Sequence, residues 1–119
     1  MAVAPECRRT LSVLGYLYLR MGRHESARRT FAAIAALLPD DAPRAEVSLV
    51  YRNLAAVAMA EGDGAAALDH LHKALDGMVL TSADAALHLL RAQALWQQGR
   101  HDEAHGAVET YRHLTGDRS

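Results

Sequence analysis

The chain is poor in the residues that mark sheets, disulfide frameworks and membrane spans. Its 119 residues include one cysteine, three prolines and one phenylalanine, and aromatic residues make up 5% of the total. The lone Cys7 cannot form an internal disulfide, and no other Cys or His lies beside it at the spacing of a metal site. No run of about 18 apolar residues occurs, and no apolar stretch precedes the first charges. We therefore expect a reducing, cytoplasmic location and no insertion into a membrane.

Strong net charge is also lacking, since 13 Lys and Arg face 14 Asp and Glu for a net charge of −1. A nearly neutral chain has no global field that would recruit nucleic acid or an anionic membrane. Arginines are locally in excess over the first third of the chain, at Arg8, Arg9, Arg20, Arg23, Arg28 and Arg29. No aromatic residues alternate with them, which favours a solvated helix face; a partner with an acidic segment is the alternative.

Half of the residues are hydrophobic, and alanine dominates among them. Few are β-branched, so the composition predicts an all-α fold, and the length predicts one domain over residues 1–119. Apolar spacing and turn signals predict helices over about 5–21, 24–38, 44–60 and 81–98, with a fourth helix after Gly62 and a sixth ending near Leu114. Pro39 is expected to end the second helix.

A short turn segment occurs twice with almost the same residues. Residues 22–27 read GRHESA and residues 99–104 read GRHDEA, and Gly62 holds the corresponding place between them. The glycines Gly22, Gly62 and Gly99 are separated by 40 and 37 residues. Three copies of one helical hairpin are therefore predicted, with small insertions in the connections near residues 40–45 and 77–82.

Large and small residues alternate through the first copy, which reads LSVLGYLYLRMGRHESARRTFAAIAALLP from Leu11 to Pro39. Gly15 and Ala27 are expected to be the close-approach points between its two helices. This order of residues resembles the tetratricopeptide (TPR) repeat. The resemblance implies three stacked helical hairpins forming a short right-handed superhelix, with repeat units at about 8–41, 48–81 and 85–118.

In such a superhelix the first helix of each hairpin lines a concave groove. Carrying the TPR pattern over by position predicts a protein-binding groove lined by Arg9, Ser12, Tyr16, Leu19, Arg20, Leu49, Arg52, Ala56, Met59, Leu89, Gln93 and Trp96. Independently of the resemblance, the first helix has too many large apolar residues for one buried stripe, so one face must meet something else. The alternative is that these side chains fill the hairpin cores.

The final helix has an apolar face formed by Ala104, Ala107, Val108, Tyr111 and Leu114, and no polar capping helix follows it. Solenoids normally close with such a helix. We therefore expect either that this face tolerates water or that a partner covers it, as in an obligate heterodimer.

The patterns of common catalytic and cofactor sites are missing. His101 and His105 lie four residues apart, but the sequence places no third ligand beside them, and no zinc, calcium or phosphate-binding motif occurs. No Ser-His-Asp or Cys-His set has a local signature. We expect a binding protein with no cofactor and no metal, and not an enzyme.

Over residues 8–114 the chain resembles the small TPR chaperones of type III secretion systems, in particular the YscY-like class. The resemblance lies in LSVLGYLYLRMGRHESA at residues 11–27, LLPDD at 37–41 and LRAQALWQQG at 90–99. It implies a bacterial cytoplasmic chaperone that binds a small secreted YscX-like protein and aids its delivery to the export gate. A needle-subunit chaperone, a TPR scaffold or regulatory module in another pathway, and self-association through the groove are the alternatives.

Overall fold

The computed structural model describes residues 5–76 and 85–116, and every regular element in these ranges is an α-helix. The helices are α1 (Pro5–Arg20), α2 (His24–Leu37), α3 (Arg44–Ala60), α4 (Gly64–Leu75), α5 (Ala85–Gln97) and α6 (His101–Thr115). The all-α prediction with six helices is thereby confirmed. The predicted start of the fifth helix at about residue 81 and the insertion near 77–82 lie outside the described residues.

The helices pack in chain order as stacked hairpins. Contacts join α1 with α2, α3 with α4 and α5 with α6, and α2 with α3 and α4 with α5 between neighbouring hairpins. In addition α3 contacts both α1 and α5, so the first helices of the three hairpins lie side by side. The resulting body measures 49 × 28 × 20 Å. This is the stacked-hairpin, TPR-like architecture that the sequence predicts.

The three hairpin turns have the same geometry. Gly22, Gly62 and Gly99 have φ values of +76°, +79° and +73°, a left-handed conformation that side chains disfavour. After each glycine, the next backbone N–H donates back to the preceding helix: Arg23 to Tyr18, Asp63 to Ala58 and Arg100 to Leu95, at 2.9, 2.8 and 2.9 Å. These bonds satisfy carbonyls that a helix end leaves without partners. The repeated glycine therefore fixes one turn three times.

The ends of α1, α2 and α5 lie one residue before the predicted positions, and Pro39 explains the end of α2. The second helix ends at Leu37 because the residue before a proline is disfavoured in the α region, and Leu38 has ψ of 131°. The first helix ends at Arg20, at the start of the turn in which the backbone N–H of Gly22 donates to the carbonyl oxygen of Leu19. The third helix has the predicted bounds, Arg44–Ala60.

The largest core cluster lies in the first two hairpins, around Phe31. Phe31 is fully buried and packs with Ala27, Ile34, Val50, Leu54 and Val57. A Cβ atom added at Gly15 would lie 2.8 Å from two atoms of the Phe31 ring. Ala27 is also fully buried. The predicted close approach at these two small residues is thereby confirmed, and the clusters farther along the chain are richer in alanine.

Candidate protein-binding groove

None of the twelve predicted groove residues is buried. They occupy α1, α3 and α5, the helices that lie side by side. Arg9, Tyr16, Arg20, Leu49, Leu89, Gln93 and Trp96 are exposed, and Ser12, Leu19, Arg52, Ala56 and Met59 are partly buried. The surface of these three helices is accessible along the predicted groove.

A cavity of about 510 Å³ opens between the first turns of α1 and α3. It brings together three of the predicted residues, Arg9, Ser12 and Leu49, and its other walls include Pro5, Pro43 and Ala45. The lining is mostly apolar with a few polar groups, as in sites that hold a side chain of a ligand. The cavity thus forms one end of the groove.

An ion pair that the sequence analysis missed also lines this cavity. The Nε atom of Arg8 donates to Oε1 of Glu46 at 2.6 Å, and Arg8 is only 6% exposed although it belongs to the arginines predicted to be solvated. The hydrogen bond from Arg8 lowers the pKa of the Glu46 carboxyl below its ordinary value, against the opposing effect of burial. The same bond raises the pKa of the Arg8 guanidinium. The pair therefore ties α1 to α3 at the mouth of the groove.

We expect Glu46→Gln to remove a pH-dependent part of the stability. A carboxyl whose pKa is lowered by folding stabilises the folded state above its unfolded pKa, and this contribution disappears as the pH falls through the folded pKa. The stability difference between the parent and Glu46→Gln should therefore be largest near neutral pH and shrink as the pH drops below about 4.5. Urea unfolding across a pH series measures it.

The matched control is Glu25→Gln, because Glu25 pairs with Arg29 on the exposed surface of a single helix at 2.7 Å. Exposed pairs of this kind contribute only about 0.3–0.5 kcal/mol. A Glu46→Gln effect as small as that of the control, or one that grows at acid pH, would contradict the role given to the Arg8 pair.

At the other end of the groove, the side chain of Trp96 is exposed and contacts two histidine rings. Its side chain is 54% exposed. The imidazole of His101 stacks on the indole with ring centroids 3.9 Å apart, and His105 meets the indole edge-on at 6.1 Å. Such contacts restrict the rotamers of an exposed aromatic side chain and so lower the entropy lost on binding. The exposed indole of Trp96 is therefore in contact with two histidine rings.

A second cavity, of about 520 Å³, lies beside Trp96 and is walled by Met59, Ala60, Gln93 and Gln97. Three predicted residues, Met59, Gln93 and Trp96, meet there. The sequence pattern placed these residues at one face, but the contact of Trp96 with two histidines was not anticipated. The sequence does contain an indication of this contact, because His101 lies just past Gly99, the turn glycine that follows Trp96.

Between the two cavities the groove is lined unevenly. Tyr16 is 53% exposed, whereas Leu19 is partly buried and packs against the cluster around Phe31. Met59 is partly buried against the alanines Ala58, Ala67 and Ala94. Leu19 and Met59 therefore pack partly in the core and are partly accessible at the groove. The exposed apolar area of the groove is supplied mainly by Tyr16, Leu49, Leu89 and Trp96.

The charged residues predicted for the groove are all basic: Arg9, Arg20 and Arg52. The Nε atom of Arg52 is buried and has no hydrogen-bond partner in the described part of the chain. The arrangement suits a ligand that combines apolar side chains with carboxylates.

Within residues 5–76 and 85–116, no three His, Cys, Asp or Glu side chains lie close enough together to hold a metal ion. No helix in the described ranges is both long enough and apolar enough to cross a bilayer. The chemistry that the groove offers is non-covalent: apolar contact, stacking on Trp96 and pairing with arginine. These features belong to a helical-repeat protein with an accessible surface along the first helices of its hairpins.

Comparison with known families agrees with this class. The tetratricopeptide repeat model matches residues 58–119, and a second tetratricopeptide repeat model matches residues 8–33. The chain belongs to the tetratricopeptide repeat family. No curated protein gives a significant match. Proteins of this family generally serve as scaffolds that bind other proteins rather than as enzymes, and their stacked repeats form extended concave binding surfaces.

Proposed function

We propose that this protein is a type III secretion chaperone that holds a small secreted helical protein of the YscX kind in the groove formed by α1, α3 and α5. Two lines of support are combined. The sequence segments at residues 11–27, 37–41 and 90–99 resemble the YscY-like class. The observation that carries the proposal is the surface position of Trp96, half exposed and stacked on His101 beside a cavity.

The mechanism is steric and hydrophobic. Amphipathic helices of the cargo lie against α1, α3 and α5 and bury apolar faces that would otherwise aggregate. Tyr16 and Trp96 supply the main apolar contacts, since Tyr and Trp dominate the energy of protein interfaces. Carboxylates of the cargo pair with Arg20 and Arg52, which fixes the register of the bound helix. The cargo stays soluble and is then delivered to the export gate.

We expect Trp96→Ala to weaken binding of the cargo about 30-fold, because truncating a tryptophan that anchors an interface removes roughly 2 kcal/mol of binding free energy. The measurement is co-purification and titration of the YscX-like protein that the same bacterium encodes. Trp96 is the only tryptophan of the chain. Its fluorescence should therefore shift to the blue when cargo covers the indole, which gives a binding readout without any substitution.

Leu37→Ala is the matched control, since Leu37 is an exposed apolar residue of α2 outside the groove. It should leave binding unchanged, and circular dichroism should show equal helix content in all variants. Undiminished cargo binding by Trp96→Ala, with no shift of the fluorescence in the parent, would contradict the groove assignment. Co-purification with a needle subunit instead would keep the groove but change the cargo.

A further inference from the structure

The outer face of α1, away from the groove, exposes more large apolar side chains than any other surface in the described part of the chain. Val13, Leu14, Leu17 and Met21 are 60%, 39%, 49% and 65% exposed, and they make up four of the nine large apolar side chains that are exposed in these ranges. Contiguous apolar patches on soluble proteins commonly mark interaction sites. Among the described residues, no helix packs over this face of α1.

The apolar face of α6 is expected either to tolerate water or to be covered by a partner, and its burial favours the first alternative. On α6 Ala104 and Ala107 are buried, and Val108, Tyr111 and Leu114 are partly buried. None of the exposed large apolar side chains of the described residues lies on α6. The uncovered apolar surface therefore belongs to α1.

The exposed residues of α1 follow the spacing of a helix pair. Cys7, Thr10, Leu14, Leu17 and Met21 succeed one another at intervals of three, four, three and four residues. This is the a/d spacing by which two helices pack along a common seam. We call these five residues the outer stripe. Such a stripe fits another helix better than it fits an extended peptide.

The charges beside the stripe indicate which helix fits. Glu6, Val13 and Arg20 lie along one flank of the stripe at intervals of seven residues. Glu6 is in the first turn of α1 and Arg20 is in the last, and both side chains are exposed. The flank is thus acidic at one end, apolar in the middle and basic at the other end. An identical helix running in the opposite direction presents the complementary order.

We propose that two copies of this chain associate through the outer stripe of α1, with the two helices antiparallel. In this arrangement Glu6 of each copy faces Arg20 of the other, and the two Val13 side chains meet near the two-fold axis. Antiparallel helices also set opposite ends of their macrodipoles side by side. A parallel pair would instead bring two Glu6 carboxylates together and two Arg20 guanidinium groups together.

The outer stripe and the groove occupy different faces of α1. Tyr16, Ser12 and Arg9 belong to the groove, whereas Leu14, Leu17 and Met21 belong to the stripe; Arg20 lies at the border of both. Self-association through the stripe therefore leaves the two groove cavities open. The dimer presents two grooves, and its existence does not depend on the cargo proposed above.

The first test measures the mass of the full chain in solution. One helix from each copy buries less than the roughly 1,600 Å² of a standard interface, so we expect a dimer that dissociates on dilution through the micromolar range. Sedimentation should show Leu17→Lys as a monomer at concentrations where the parent is dimeric. Lysine is a good helix former, so α1 should persist. Leu37→Lys, an exposed apolar position on α2, should remain dimeric.

A monomeric parent at millimolar concentration would overturn the proposal, and so would a Leu17→Lys variant that stays dimeric. A thermal unfolding midpoint of Leu17→Lys equal to that of Leu37→Lys shows that the loss of the dimer is not a loss of the fold.

The second test fixes the direction of the helices with the native Cys7, the one cysteine of the chain. Antiparallel pairing with Glu6 against Arg20 sets Cys7 at the level of residue 19 of the second copy, about 3 Å along the axis from Leu17 of the outer stripe. Mild oxidation of Leu17→Cys should therefore give a disulfide-linked dimer, and Cys7→Ser in the same chain should abolish it. The parent should stay uncrosslinked, because its two cysteines lie about 18 Å apart along the helix axis.

Crosslinking of the parent through Cys7, or persistence of the crosslink in the Cys7→Ser, Leu17→Cys chain, would show a parallel pair and overturn the arrangement. Charge supplies an independent check. Glu6→Arg should weaken the dimer about tenfold, since it replaces two attractive contacts with two repulsive ones. Adding Arg20→Glu should restore it. Failure of the double variant to recover the dimer would contradict the charge pairing.

Discussion

Replacing Phe31 with alanine should reduce the free energy of unfolding by about 3–5 kcal/mol, because truncating a buried phenylalanine loses its transfer free energy and leaves a cavity. Phe31 has no exposed area, and its neighbours come from α2 and α3, while Gly15 of α1 lies against its ring. A loss of this size is a large part of the roughly 5–15 kcal/mol that stabilises a small domain. Urea unfolding followed by circular dichroism measures it.

Leu37→Ala serves as the control on the same helix, since Leu37 is 38% exposed and lies outside the cluster around Phe31. We expect a change below about 1 kcal/mol there, as for most substitutions away from the core. Equal effects at the two positions would mean that Phe31 does not hold the first two hairpins together.

The architecture could be predicted from the sequence because local signals repeat. The two segments beginning at Gly22 and Gly99 give turns with φ of +76° and +73°, and Gly62 gives the third. A turn that requires a left-handed residue strongly restricts the choice of amino acid, so its sequence signature is short and specific. Three helix ends lie one residue before the predicted position, because the helix pattern competes there with the conformation imposed by the turn or by Pro39.

The surfaces were harder to predict, because helical spacing does not say which of several apolar faces is buried. The first helix has one face on the core, a second at the groove and a third on the outside. Leu19 belongs partly to the core, and Leu17 is 49% exposed, although the two have the same side chain and lie two residues apart. Only the packing of α2 and α3 against α1 distinguishes them.

Interactions between distant residues escaped the sequence analysis for a related reason. Arg8 was counted among solvated arginines, yet it pairs with Glu46, which lies 38 residues away. Arg8 and Arg9 both line the cavity between α1 and α3, but only Arg8 pairs with Glu46 of α3. Charge composition gives no information on such orientation, and thus the ion pair and the stacking of His101 on Trp96 emerge only from the fold.

Replacing Gly15 with leucine should destabilise the protein by about 3 kcal/mol, since inserting a large side chain into a packed contact forces the helices apart. Even a single Cβ atom at this position would lie 2.8 Å from the Phe31 ring. Gly106→Ala is the contrasting control: it is a helical glycine of α6 with no neighbouring atom within 4 Å of an added Cβ. There alanine should stabilise the fold by up to about 1 kcal/mol, through helix propensity.

Combining Gly15→Leu with Phe31→Ala tests whether the two effects share one contact. Leucine at position 15 can occupy part of the space that the phenylalanine ring leaves, so the double variant should be less destabilised than the two single variants added together. Residues in direct contact typically show coupling of about 0.5–3 kcal/mol, whereas distant sites are additive. Urea unfolding of the four chains gives the coupling directly. Strict additivity, or a Gly15→Leu variant as stable as the parent, would show that α1 and α2 do not meet at this glycine.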